Sequence, residues 1–332
     1  MSRTVSLRRF LPGLLVLCLG AVLARGVESV AGINHLLVAI AAGVVLANTV
    51  GVPDRLAPGI GTHKLWLGAG IVLMGASLTL ETILEVGGVV LAIVIGVPAA
   101  TLVAVELLSR TVAGLSDRLG SLLAAGSSVC GVSAIVAVAG AIHAREHQIA
   151  YAAATILLFD AVTIVVYPIV GELLSLSDVA FGVWAGVSMF STGPVVAVGF
   201  AYSEAAGQWA TMTKLARNAL IGLVVVAYAS YYARSGTDTS EFSPRVLWDE
   251  FPKFVLGFLG LVALSSVGVF SSGQQASLEN AYSWLFVLAF VGLGTEIRLA
   301  ELRSTGAMPV LVVLTALVFA SGLSLAAVTA FV

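Results

Sequence analysis

Residues 120–140 read GSLLAAGSSVCGVSAIVAVAG, and this stretch decides how the rest of the chain is organised. It is apolar enough for a membrane, but its centre, 126–133, carries glycines and hydroxyls where a lipid-facing helix would carry Leu and Ile. Glycine weakens a helix by roughly 1 kcal/mol relative to alanine, and serine offers the backbone other hydrogen bonds. Irregular backbone at membrane depth must be buried in protein or line a cavity. The stretch therefore predicts either a broken helix at a binding site or a close helix–helix contact.

The composition of the chain is that of an integral membrane protein. Of its 332 residues, 59% are hydrophobic and 10% are charged, whereas soluble domains carry about 25% charged residues. A net charge of −2 argues against nucleic-acid binding. Cys18 and Cys130 lie in separate apolar stretches and form no disulfide or metal pattern. We therefore predict an all-α, polytopic protein of the cell membrane, with no cofactor and no metal.

We predict eleven apolar segments as transmembrane helices. They are 10–24, 33–50, 65–80, 88–108, 119–142, 149–170, 181–203, 212–233, 252–270, 282–297 and 306–331. The first follows Arg3, Arg8 and Arg9, so a cleaved signal peptide is an alternative for it. The segments predict a single transporter domain over 1–332, in which the polar stretch 235–251 is a loop.

The basic residues predict the orientation of the chain. With the N-terminus in the cytoplasm, twelve of the 16 basic residues fall on the cytoplasmic side, whereas Arg25, Arg145, Lys214 and Arg217 fall on the other. Positive residues are enriched in cytoplasmic loops. The sequence therefore predicts a cytoplasmic N-terminus and an external C-terminus.

Two stretches separated by 219 residues are similar to each other. Residues 72–87 align with 291–306 at four identities in sixteen positions, and they lie on the third and tenth segments, which cross in opposite directions. Inverted repeats of this kind are characteristic of secondary transporters. We therefore predict repeat elements at 65–108 and 282–331 and a broken-helix core at 119–233.

The seventh segment, 181–203, contains a second interruption. Pro194, which lacks an N–H, follows Ser191 and Thr192 in a pattern typical of a helix start. Both interruptions fall near the middle of their segments, hence near the bilayer centre, where the N-terminus of a half-helix presents unpaired N–H groups to an anion. A proline kink without a ligand is the alternative. The fifth and seventh segments should run parallel, whereas crossing helices of inverted repeats run antiparallel, so the two breaks need not be symmetry mates.

Charges within the apolar segments mark further candidate positions. Lys214, Arg217 and Asn218 share one helical face at the start of the eighth segment. They either supply positive charge to an anion site or anchor the helix at the interface. Asp160 lies midway through the sixth segment, which predicts a carboxylate that carries a proton or pairs with a Lys or Arg; a structural hydrogen bond is the alternative. Glu106, near a segment end, is interpreted as interfacial.

Several of these stretches resemble a family of bacterial and archaeal membrane proteins, the sulfate exporters. Residues 126–134, GSSVCGVSA, are similar to that family's GSSICGASA signature, and 151–159 resemble the helix that follows it. Residues 214–218, KLARN, match its KLxRN element, and 293–295 resemble its C-terminal repeat element. The likeness covers most of residues 60–331.

The resemblance implies the fold of sodium/proton antiporters and bile-acid symporters, with a panel domain, a core domain and two crossing broken helices. One departure lies at 190–196, FSTGPVV, where the family has HDTAQVV, so that Phe190, Ser191 and Pro194 replace His, Asp and Gln. Asp160 stands where the family usually has a small residue. Our hypothesis is that the carboxylate has moved to a neighbouring helix, which leaves the substrate and the coupling ion open.

We predict a secondary transporter that moves a small anion (sulfate, or an organosulfur or carboxylate anion) by alternating access, coupled to H+ or Na+. The candidate substrate-binding residues are Ser127, Ser128, Cys130, Ser133, Ser191, Thr192, Lys214, Arg217 and Asn218, and Asp160 is the candidate ion-coupling residue. The predicted partners are the anion, the coupling ion and the lipid bilayer, with a homodimer left open and no nucleic acid. The chain is not predicted to be an enzyme. The alternatives are an anion channel and a membrane-embedded thiol enzyme with Cys130 as its nucleophile.

Overall fold

A computed structural model describes residues 9–234, 253–302 and 306–331. The basic positions Arg3, Arg8, Arg245 and Arg303 of the orientation prediction, and the predicted loop at 235–251, lie outside the described residues. The described residues are almost entirely helical, as predicted.

The helices, in chain order, are α1 Leu11–Ala31, α2 His35–Thr49, α3 Ala57–Ile60, α4 His63–Met74, α5 Leu80–Leu107, α6 Asp117–Ala125, α7 Val132–Ala141, α8 Glu146–Leu173, α9 Asp178–Ser188, α10 Thr192–Tyr202, α11 Glu204–Asn218, α12 Ile221–Arg234, α13 Phe254–Ser266, α14 Ser272–Gly294, α15 Leu299–Leu302 and α16 Ala307–Phe331. A 3-10 turn, Gly75–Ser77, extends α4, and π-helical turns follow α5 at Leu108–Val112 and α6 at Gly126–Cys130.

The chain is a multi-pass membrane protein. Among the described residues, six helical stretches are long and apolar enough to cross a membrane: Leu11–Ala31, Gly87–Val112, Glu146–Leu173, Glu204–Ala233, Ser272–Gly294 and Ala307–Phe331. Shorter apolar helices accompany them. The prediction of a membrane protein is therefore confirmed. By length and composition, the described residues contain six candidate spans, not the eleven predicted.

The helices form two compact units. The first comprises Met1–Leu84 and Lys253–Leu299, and the second comprises Glu85–Pro252 and Ala300–Val332. In the first unit, α4 and α14 pack antiparallel, because Gly70 lies beside Phe286 while Gly292 lies beside His63. These directions agree with those predicted for the third and tenth segments; the inverted repeat itself stays a prediction.

In the second unit, α6 and α7 form a hairpin, which we call hairpin 1. The amide of Gln148, in the first turn of α8, donates to the hydroxyl of Ser116, immediately before α6, at 2.9 Å. Both ends of hairpin 1 therefore lie at the same end of the unit. The chain reverses at Gly131, whose φ of 66° and ψ of −132° suit glycine alone. The predicted break is confirmed, but the predicted crossing over 119–142 is wrong, and so is the placement of Arg145 on the side opposite Arg118.

Helices α9 and α10 form a second hairpin, hairpin 2. The hydroxyl of Tyr202, at the end of α10, donates to the carbonyl of Leu176, just before α9, at 2.8 Å. The ring of Tyr202 also stacks on Phe181 of α9 with centroids 3.8 Å apart. The break at 189–191 is thus confirmed, and Pro194 lies in the first turn of α10 as predicted. The predicted crossing over 181–203 is wrong, because the chain returns to the end from which it entered.

Helix α8 connects the open ends of the two hairpins. Its 28 residues span about 42 Å at 1.5 Å per residue, from the end near Ser116 to the end near Leu176. Hairpins 1 and 2 therefore enter the unit from opposite ends. Their tips meet, since a Cβ added to Gly131 would collide with the hydroxyl of Ser191. Two hairpins with touching tips replace the two predicted crossing helices.

Helices α11 and α12 form the crossing element that sequence analysis placed at 212–233. It begins earlier, at Glu204, and is interrupted at 219–220. Gly182 and Gly186 of α9 each lie in close contact with α11 backbone, so α11 runs beside hairpin 2 into the interior of the unit. Lys214 and Arg217 consequently lie midway along this element, and their predicted position at its start is wrong.

Candidate functional site

The candidate site lies where the two hairpin tips meet beside the middle of α8. Tip 1 comprises residues 126–132 and tip 2 comprises residues 189–192. Each tip holds the C-terminal end of one half-helix and the N-terminal end of the next. At such ends the last carbonyls carry partial negative charge and the first N–H groups carry partial positive charge, and neither set has a partner within its helix.

Lys214 donates hydrogen bonds to carbonyl oxygens in both tips. Its Nζ donates to the carbonyl oxygens of Val129 and Met189, each at 3.0 Å, and to that of Phe190. The side chain is fully buried, at 0% exposure. An ammonium surrounded by carbonyls at two half-helix C-termini is favourably placed for charge as well as for hydrogen bonding.

Arg217, one turn further along α11, makes the same kind of bridge. Its Nε and Nη2 donate to the carbonyls of Ser128 and Ser127 in tip 1, at 2.7 and 2.6 Å, and its Nη1 donates to Met189 in tip 2 at 2.6 Å. Arg217 is 1% exposed. The interfacial-anchor alternative for Lys214 and Arg217 is therefore wrong, since both lie buried between the two tips.

Asp160 lies at the N-terminal end of the half-helix α10. Its Oδ1 accepts a hydrogen bond from the backbone N–H of Ser191 at 3.1 Å, and the residue is 3% exposed. A carboxylate is stabilised by the positive end of a helix. Charges of both signs are thus matched to the half-helix ends: cations contact the carbonyl ends, and Asp160 contacts an N–H end.

Asn218 supports tip 2 from α11. Its Nδ2 donates to Oγ1 of Thr192 at 3.0 Å, whereas its Oδ1 is buried without a hydrogen-bond partner among the described residues. Asn218 therefore fixes the position of the Thr192 hydroxyl, and its own Oδ1 remains an available acceptor next to that hydroxyl.

The other predicted substrate-binding residues differ in how exposed their side chains are. Ser133 is exposed, and Ser191 and Thr192 are half-buried. Ser127, Ser128 and Cys130 are buried, and the hydroxyl of Ser128 bonds back to the carbonyl of Ala124 at 2.6 Å. Of the nine predicted substrate-binding residues, only Ser133, Ser191 and Thr192 present side chains that a solute could reach without moving the tips. Ser127 and Ser128 contribute backbone carbonyls to Arg217 instead.

Sequence reasoning missed the contribution of Val129, Met189 and Phe190. Each takes part through its carbonyl oxygen, which every residue possesses, so no side-chain pattern could have identified it. It also missed Gln148 and Tyr202, whose hydrogen bonds close the open ends of the hairpins. Both are polar side chains near the ends of predicted apolar segments, and this position is the signal by which the sequence could have identified them.

The chain is similar to membrane proteins of several bacteria. A family model described as conserved hypothetical protein 698 matches residues 11–313. A UPF0324 membrane protein of Nitratidesulfovibrio vulgaris is 33% identical over 311 residues, which cover 89% of this chain and 86% of that protein. One from Corynebacterium glutamicum is 30% identical over 310 residues, covering 92% and 88%. No solved structure matches the chain significantly.

Proposed function

We propose that this chain, which belongs to the conserved hypothetical protein 698 family, is a secondary transporter that carries a small anion by alternating access. The observation that supports the proposal most is the pair of hairpins that enter from opposite ends and touch at their tips. A solute bound between the tips is separated from each side of the membrane by one hairpin. Movement of one hairpin at a time would then expose the same site to one side or the other.

The chemistry of the exposed groups supports an anion. The N-terminal ends of α7 and α10 present backbone N–H groups beside the hydroxyls of Ser133, Ser191 and Thr192, and such groups bind oxyanions. The opposing carbonyl ends, which would repel an anion, are covered by Lys214 and Arg217. We propose sulfate or an organosulfur or carboxylate anion as the substrate, since each carries oxygens that accept from such donors.

The position of Asp160 supports proton coupling. Its carboxylate accepts from the N–H of Ser191, at the same helix end that would bind the anion. Two negative groups at one helix N-terminus repel each other, so anion binding and protonation of Asp160 favour one another. In this mechanism the proton and the anion cross in the same direction.

Transport of labelled anions into proteoliposomes tests this function. We expect one or more of sulfate, thiosulfate, sulfite and small carboxylates to be taken up, and unlabelled anion inside the vesicles to accelerate uptake by exchange. Uptake without exchange would identify the anion channel instead, and no uptake of any anion would contradict the proposal. Unchanged activity of Cys130→Ser would exclude the thiol-enzyme alternative.

A further inference from the structure

The hydroxyl of Thr192 differs from those of other threonines because Thr192 is the first residue of its helix. Within a helix, a threonine hydroxyl commonly donates to the carbonyl four residues earlier, as Thr155 and Thr211 do at 2.8 and 2.7 Å. For Thr192 that carbonyl belongs to α9, and among the described residues Thr192 makes no such bond. Its hydroxyl proton is therefore not committed to its own helix.

The side chain of Asn218 meets this hydroxyl as a donor. Its Nδ2 donates to Oγ1 of Thr192 at 3.0 Å, from a residue that is only 5% exposed. The position of its Oδ1 offers no hydrogen-bond partner among the described residues. The reversed amide would place the two N–H donors of the nitrogen there, and leaving these unpaired costs more than leaving one acceptor unpaired. The orientation in which Asn218 donates to Thr192 is therefore the favoured one.

A hydroxyl that accepts from Asn218 is a better donor to a third group. Accepting the N–H occupies a lone pair of Oγ1 and turns the hydroxyl proton away from Asn218. Hydrogen bonds in a chain polarise one another, so the next acceptor binds this proton more strongly. At the N-terminus of a helix, the acceptor that is favoured electrostatically is an anion.

The N-terminus of α10 has few other donors for an anion. The N–H of Ser191 is taken by Asp160 at 3.1 Å, and Pro194 has no N–H. Within residues 191–194, this leaves the N–H groups of Thr192 and Gly193. Gly193 is buried, whereas Thr192 is half-buried. The hydroxyl of Thr192 is therefore an important part of what this helix end can offer to a ligand.

We propose that Asn218 is a positioning residue, which directs the hydroxyl proton of Thr192 at the anion and does not itself contact the anion. This inference rests on the proposed transport of an anion. It gives Asn218, predicted to bind substrate, a role that is exerted through Thr192. The effect of Asn218 on anion affinity should consequently require a hydroxyl at position 192, which a merely structural role would not.

A double-mutant cycle on anion exchange in proteoliposomes tests this dependence. Asn218→Leu removes the donor with little change in volume, and we expect KM to rise about three- to tenfold, the range of one hydrogen bond, at nearly constant maximal rate. In a Thr192→Val background, Asn218→Leu should raise KM no further, because no hydroxyl remains to be oriented. In a Thr192→Ser background, which keeps the hydroxyl, it should raise KM as it does in the wild type.

Equal KM increases from Asn218→Leu in the Thr192→Val and Thr192→Ser backgrounds would overturn the proposal, and so would an unchanged KM in Asn218→Leu alone. The Tm of each purified variant shows whether it is folded. Asn218→Ala, in the same two backgrounds, repeats the cycle with a smaller side chain and should give the same pattern. Absence of exchange by the wild type would contradict the proposed function itself, whereas the other outcomes leave wild-type exchange intact.

Discussion

The guanidinium of Arg217 donates to the carbonyl oxygen of Met189 at 2.6 Å, and this contact joins α11 to the tip of hairpin 2. The same side chain also binds the carbonyls of Ser127 and Ser128. Arg217 therefore donates to three buried carbonyls, of which that of Met189 also accepts from Lys214. Neighbouring Lys214 serves the same two tips.

Arg217→Gln should destabilise the protein strongly. It removes the donor of the buried carbonyls of Ser127 and Ser128, and each buried acceptor left unpaired costs about 1–3 kcal/mol. We expect a large decrease in Tm of the purified protein. Arg55→Gln, an exposed loop position, is the control and should change Tm little. Equal Tm values for Arg217→Gln and Arg55→Gln would show that the cation does not hold the tips.

Asp160→Asn should separate folding from proton coupling. The asparagine oxygen can still accept from the N–H of Ser191, so we expect the variant to fold. It can no longer bind and release a proton, so anion uptake should lose its dependence on a pH gradient. Uptake into proteoliposomes with and without an imposed gradient measures this. A gradient response equal to that of the wild type would remove Asp160 from the coupling mechanism.

Ser133→Ala and Thr192→Val should weaken anion binding without unfolding the protein. Each removes an accessible hydroxyl beside a half-helix N-terminus, and a hydrogen bond to a charged group contributes about 1.5–3 kcal/mol, so KM should rise about tenfold or more. Ser128→Ala is the matched control, because that hydroxyl bonds within its own helix. A KM change in Ser128→Ala as large as in the other two would contradict this assignment.

Glu296, outside the membrane-spanning helices, should make stability dependent on acid pH. Burial raises its pKa, but the hydrogen bond with His63 and the charge of Lys64 outweigh burial and lower the pKa from 4.5 to about 2. A carboxylate with a lowered folded pKa stabilises the protein above its unfolded pKa, and this contribution is lost as the pH falls towards 2. Because Lys64 is 72% exposed, we expect only about 1 kcal/mol.

The comparison of Glu296→Gln with the wild type checks that expectation. The variant should have the lower Tm at pH 7, and the difference should shrink between pH 4.5 and pH 2. Glu81→Gln, at an exposed position, serves as the control. A Tm difference that is the same at pH 7 and pH 3 would show that the charge of Glu296 contributes nothing.

The two interruptions could be predicted from the sequence because local chemistry causes them. Gly131 and Pro194 each restrict what the backbone can do, independently of the rest of the chain. The reversal of direction could not be predicted in this way. Two half-helices that return to one side have the same hydropathy as one broken helix that crosses, and the hydrogen bonds that distinguish them, such as Gln148 to Ser116, join residues 32 positions apart.

Two further wrong predictions follow from treating the hairpins as crossing helices. The predicted parallel course of the fifth and seventh segments disappears, because the hairpins point in opposite directions. Arg145 moves to the end of the unit that holds Arg110 and Arg118, so a side chain that opposed the positive-inside pattern now supports it. Lys214 and Arg217, counted as external residues, lie in the interior and do not bear on orientation.

Both hairpins are re-entrant, and single-cysteine labelling with a membrane-impermeant maleimide distinguishes this arrangement from two crossing helices. In a background without native cysteines, four exposed positions mark the hairpin ends: Asp117→Cys, Glu146→Cys, Glu172→Cys and Glu204→Cys. We predict that the first two label only from the cytoplasmic side and the last two only from the opposite side. Labelling of Asp117→Cys and Glu146→Cys from opposite sides of the membrane would show that residues 117–146 cross the membrane and form no re-entrant hairpin.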